Sequence, residues 1–94
     1  MEKEKLYKKI SQEILENIGG PQNIQGAAHC ATRLRIVLKD LSLVKTDKLE
    51  NIDLVKGCFI AGSQLQLIFG AGTVNEVYKV FAKEAKLENM SLSD

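Results

Sequence analysis

The stretch Thr32-Arg33-Leu34-Arg35-Ile36-Val37-Leu38-Lys39 decides the fold. Thr32, Leu34, Ile36 and Leu38 alternate with Arg33, Arg35, Val37 and Lys39, the period of a strand with one face buried and the other wet. Both arginines therefore belong to the exposed face. Upstream, residues 24–28 form a short run of small and apolar residues that reads as a preceding strand. His29-Cys30-Ala31 falls at or near the turn between the two.

Working outward, Leu6, Ile10, Ile14 and Ile18 recur every fourth residue among Lys and Glu, which predicts an amphipathic helix over residues 2–18. Gly19-Gly20-Pro21 ends it, since Gly accepts the left-handed cap and Pro cannot continue the helix. On the other side, Thr46 or Asp47 can cap a short helix over residues 48–51. Residues 55–61 and 64–69 flank Gly62-Ser63, a two-residue hairpin signal. Thr73 and Glu76 stand at capping-box spacing before a last helix marked by Val74, Val77, Tyr78, Phe81 and Ala85. The predicted order is α-β-β-α-β-β-α. Short connections favour antiparallel pairing, so the expected fold is α+β: a two-layer sandwich with one four-stranded antiparallel sheet and helices on one face. The other face is expected to be open, carrying Arg33, Arg35 and Gln66.

Composition sets limits on function. The 94 residues hold one domain, expected over residues 1–87, with the polar, aperiodic residues 88–94 as a tail or linker. The net charge of +1 makes no global case for nucleic acid or an anionic membrane. No aromatic is expected on the Arg33, Arg35 or Gln66 faces, where a sheet that binds single strands would need stacking rings. No apolar run approaches the length of a membrane span. Cys30 and Cys58 have no paired spacing, so neither a disulfide framework nor a zinc site is supported. Cys58 sits in an apolar strand and reads as a packing residue.

Cys30 has a different context. A cysteine in a strand-to-strand turn exposes its sulfur beside free backbone N–H groups. Guanidinium groups three and five positions on, at Arg33 and Arg35, can reach it from the open face. Positive charge and N–H donors favour the thiolate, the nucleophilic form. The same donors would cradle a phosphoryl group. Thr32 could add a hydroxyl and Gln66 an amide. A phosphatase-type cysteine would need an arginine six positions on, where Ile36 stands. A protease-type cysteine needs a histidine base free to face it, and His29, the one histidine, is its immediate neighbour. His29 could stabilise the sulfur's charged forms or simply hold the turn. Gly70-Ala71-Gly72 could cradle a phosphate, but a plain strand-to-helix turn is the commoner use of such a sequence.

Asn23-Ile24, then Cys30-Ala31-Thr32-Arg33-Leu34, Ile36, Leu38 and Asp40, resembles the phosphorylation-site signature of the IIB domains of the glucose superfamily of the bacterial phosphoenolpyruvate-dependent sugar phosphotransferase system. Gly62-Ser63-Gln64-Leu65-Gln66-Leu67-Ile68-Phe69-Gly70 extends the likeness. His29 before the cysteine, and Gly70-Ala71-Gly72-Thr73-Val74-Asn75, are similar to the sucrose and trehalose branch. The resemblance implies a protein-phosphocysteine–sugar phosphotransferase in which Cys30 takes phosphate from a IIA phosphohistidine and passes it to a sugar held by a membrane IIC domain. It implies that Arg33 and Arg35 handle the phosphoryl group and that Thr32, Gln66 and His29 line the site. No metal or organic cofactor is expected, nor a nucleic-acid partner. The implied location is the cytoplasmic face of the bacterial inner membrane, as part of a IIBC polypeptide. The alternative is a regulatory IIB module that phosphorylates a transcription antiterminator.

Overall fold

The computed structural model describes residues 2–86; the expected tail at 88–94 lies outside them. Helix α1 (Glu2–Glu16) is followed by strands β1 (Ile24–His29) and β2 (Arg33–Leu38). The short helix α2 (Thr46–Leu49), strands β3 (Gly57–Ala61) and β4 (Gln64–Ile68), and helix α3 (Thr73–Glu84) complete the chain. The four strands form one antiparallel sheet in the order β1-β2-β4-β3. The expected α+β sandwich is therefore the observed one.

Alternation in β2 and β4 builds the core. Leu34, Ile36, Leu65 and Leu67 are fully buried on the helix-covered face. They meet Ile10, Ile14 and Ile18 from α1 and its end, and Val74, Val77 and Phe81 from α3. Each such aliphatic side chain adds about 1.5–3 kcal/mol when fully removed from water. Helices α1 and α3 pack side by side over the sheet. Cross-strand register places Arg35, Gln66 and Phe59 in one row across the opposite, open face.

Gly19 and Gly20 take φ of 91° and 81°, and the Gly20 N–H donates to the Leu15 carbonyl at 2.9 Å, so the glycine stop ends α1 as expected. Gly62 adopts φ of 62°, the left-handed conformation that a two-residue hairpin between paired Ala61 and Gln64 requires.

Three local expectations are corrected. The start of α3 is capped by Gly72, with no side-chain bond, so the Thr73–Glu76 capping box does not form. Helix α2 begins at Thr46 after Lys45, again without a side-chain cap. The open face does carry an aromatic: Phe59 pairs with Gln66 and is 53% exposed. In β3 apolar residues occupy both faces, so composition did not reveal which way each one points.

Candidate functional site

The signature residues divide into those that hold the β1–β2 hairpin and those that surround the sulfur. Asn23, buried just before β1, donates through Nδ2 to the carbonyls of Ile18 at 2.7 Å and Asp40 at 2.9 Å. Its Oδ1 accepts the Asp40 N–H at 2.9 Å. Asp40 in turn accepts from the Ser42 N–H at 2.9 Å and the Ser42 hydroxyl at 2.6 Å. These bonds to Ser42 hold the Asp40 carboxyl below its usual pKa. Asn23 and Asp40 thus pin the open end of the hairpin.

At its closed end the Cys30 N–H donates to the Arg33 carbonyl at 3.0 Å, and the Phe69 N–H donates to the Thr32 carbonyl at 2.7 Å. The turn leaves Cys30 half-buried, with a free thiol. The backbone N–H groups of Thr32 and Arg33 are the largest influences on that thiol, and both lower its pKa. Partial burial opposes them, and the Arg35 guanidinium adds its charge and a hydrogen bond in the lowering sense. Arg35 Nη2 lies 3.7 Å from Cys30 Sγ. An anion on this sulfur would meet the same N–H groups and the same guanidinium.

The other expected residues are arranged less uniformly. Arg33 donates from Nη1 to Gln66 Oε1 at 2.6 Å, and Gln66 Nε2 donates to Gln64 Oε1 at 2.7 Å. The Arg33 guanidinium also stands 6.0 Å from the centre of the Phe59 ring. Thr32 acts on the free thiol through its backbone N–H. His29 shares the covered face with its cross-strand partner Leu34. Its ring packs on Tyr78 of α3.

Gln64 and Phe59 belong to this surface and were missed in the sequence. The two-residue hairpin could have revealed both: Ala61 opposite Gln64 puts Phe59 opposite Gln66. Cys58 lies on the covered face opposite Leu67, packed partly against the core. Burial first, and the charge of Glu50 second, raise its pKa. The two thiols are thus driven in opposite directions. Two concavities of the helical layer, of about 560 and 440 Å³, are lined by residues such as Glu13 and Asp47, and Tyr7 and Lys83. Cys30 lines neither and is presented on the sheet rim. Among the described residues no cluster with metal-ligand character occurs.

Fold and site together define a class: a small α+β domain that presents a thiol of lowered pKa on a hairpin turn beside an arginine. The family model for the phosphotransferase system, EIIB, matches residues 12–44. Over 82 residues, 87% of the chain, it is 49% identical to the PTS system sucrose-specific EIIBC component of Bacillus subtilis. The PTS system trehalose-specific EIIBC component of the same organism is 47% identical over 76 residues, 81% of the chain. The chain spans 18% and 16% of the lengths of these two relatives. A solved structure, one domain of the PTS system IIabc component from Clostridium difficile, superimposes with a TM-score of 0.83. It is 39% identical, and the match covers 97% of this chain and 92% of that one. The chain belongs to the EIIB family of the phosphotransferase system.

Among the described residues no helix is long and apolar enough to cross a membrane.

Proposed function

We infer that Cys30 is the phosphoryl carrier of a sugar-uptake phosphotransferase, acting between a IIA phosphohistidine and a sugar bound by a membrane IIC domain. The placement of Sγ among the Thr32 and Arg33 N–H groups and the Arg35 guanidinium carries this reading. In the first step the thiolate attacks phosphorus, an S–P bond forms and the P–N bond breaks. The leaving imidazole nitrogen regains a proton. In the second step a sugar hydroxyl oxygen attacks, the S–P bond breaks and thiolate leaves, while the hydroxyl proton passes to a base on the acceptor side. Both displacements need an attacking atom aligned with the leaving atom and charge held on the phosphoryl oxygens. Arg35 and the backbone donors supply that stabilisation, and Arg33 with Gln66 stands beside them on the open face.

The names of the relatives make sucrose the first sugar to test and trehalose the second. Their EIIBC designation supports a IIC partner in the same polypeptide, with this domain on the cytoplasmic side. The test is phosphorylation of the full chain by a phosphorylated IIA donor, followed by mass mapping of the labelled residue. Label on Cys30 is expected; stable label elsewhere, with Cys30 unmodified, overturns the reading.

A further inference from the structure

Helix α3 reaches the turn that carries the thiol through one aromatic pair. The rings of His29 and Tyr78 lie 4.6 Å apart, centre to centre, tilted by 45°. That geometry falls within the range of favourable aromatic pairs. The Tyr78 hydroxyl donates to the Ala27 carbonyl at 3.3 Å, on the same strand two residues before His29. His29 Nδ1 is buried and has no hydrogen-bond partner among the described residues. Its ring is therefore oriented by packing on Tyr78, not by a polar contact on that nitrogen. His29 is the last residue of β1, and the peptide that follows it sets the direction in which Cys30 leaves the strand.

We propose that Tyr78 is a positioning residue for Cys30, its ring fixing His29 and so holding the turn in the conformation that aligns the sulfur with the Thr32 and Arg33 N–H groups. This rests on the reading of Cys30 as phosphoryl carrier, but the placement of the thiol can be tested separately. Without the ring, His29 gains rotamer freedom and the turn samples orientations in which Sγ leaves its donors. A sulfur displaced by about 1 Å loses rate in steps of roughly 10- to 100-fold, because hydrogen bonds and in-line attack are steep in geometry. Tyr78 has no polar contact with the sulfur, so its effect passes through the backbone of β1.

The experiment measures the pH profile of iodoacetamide alkylation at Cys30, resolved from Cys58 by mass, and phosphate uptake from a phosphorylated IIA donor. Tyr78→Leu is expected to move the Cys30 midpoint upward, toward the ordinary thiol value, and to slow uptake roughly 10-fold or more. Tyr78→Phe keeps the ring and is expected to restore both readouts. His29→Leu removes the other half of the pair, and the double variant is expected to add little to either single one. Slow alkylation of half-buried Cys58, with circular dichroism, verifies that each variant is folded. Should Tyr78→Leu not fold, the His29→Leu profile decides. A folded Tyr78→Leu protein with the parent's Cys30 profile overturns the proposal, as does a Tyr78→Phe protein that behaves like Tyr78→Leu. A parent that takes up no phosphate refutes the carrier reading alone, and the alkylation profiles still judge the role of Tyr78.

Discussion

Arg35 reaches the sulfur of Cys30, at 3.7 Å, while Arg33, two residues earlier on the same strand face, is bonded to Gln66 at 2.6 Å. The two guanidinium groups have separate surroundings, and separate consequences follow for their removal. Arg35 acts on the resting thiol, whereas Arg33 is held by an amide from the neighbouring strand.

Arg33→Lys is expected to leave phosphorylation of Cys30 intact and to slow transfer to sugar by roughly 30- to 1,000-fold. That corresponds to about 2–4 kcal/mol for losing a planar, two-pronged contact with the transferring oxygens. Arg35→Lys is expected to impair transfer similarly and also to slow acceptance. The half-reactions are measured separately, the second with IIC-containing membranes and sucrose. Sugar phosphorylation within a few-fold of the parent in both variants would contradict this assignment.

Cys30→Ser is expected to abolish phosphate uptake, and Cys58→Ser to retain it, as read by labelling with a phosphorylated IIA donor. Among the described residues, N–H donors and a guanidinium surround the sulfur of Cys30 and not that of Cys58.

The thiols are expected to titrate on opposite sides of the ordinary value of 9.0, Cys30 below it and Cys58 above it. Mass-resolved alkylation against pH measures both midpoints in one sample. For Cys30 the linkage sign follows from the lowered folded-state pKa. Its contribution to stability is present above the unfolded value and is lost as pH falls through the folded one. For Cys58 the raised pKa reverses this: its contribution is present below the unfolded value and is lost as pH rises through the folded one.

Asn23→Ala is expected to destabilise the domain by about 2–4 kcal/mol, since backbone groups of Ile18 and Asp40 lose the buried amide that joins them. Urea denaturation measures it. A change below about 0.5 kcal/mol would mean that water replaces the amide without cost.

Ser11→Ala is expected to leave stability unchanged or raise it by up to about 1 kcal/mol. The Ser11 hydroxyl is buried on α1 with no hydrogen-bond partner among the described residues, and alanine is the better helix former. Thermal denaturation provides the test, and a clear loss of stability would reveal a polar partner for the hydroxyl.

The β2 alternation was legible because arginines interrupt a line of aliphatics, and with the Gln/Leu alternation of β4 it separated the covered face from the open one. Cys30 and Arg35 could be brought together from sequence, since both belong to one local hairpin. The division between Arg33 and Arg35 could not, because it depends on Gln66 from a strand paired later in the chain. Phe59 was hidden for another reason. Gly57-Cys58-Phe59-Ile60-Ala61 has no polar residue to mark a face, so only the register set by the Gly62-Ser63 turn decides it. Tyr78 looked like one more apolar position of α3, and no helical periodicity shows that its ring meets His29.

The strand order β1-β2-β4-β3 makes each hairpin a local unit and leaves the β2–β4 seam as the long-range closure. Local pairings form readily in a folding chain, whereas non-local ones wait for loop closure. The donors around Cys30 come from the first hairpin, but the Arg33–Gln66 bond crosses the seam. A chain emerging during synthesis would thus possess the elements of a reactive thiol before the amide that restrains Arg33 has docked. The Arg33–Gln66 bond would then mark the closing of that seam.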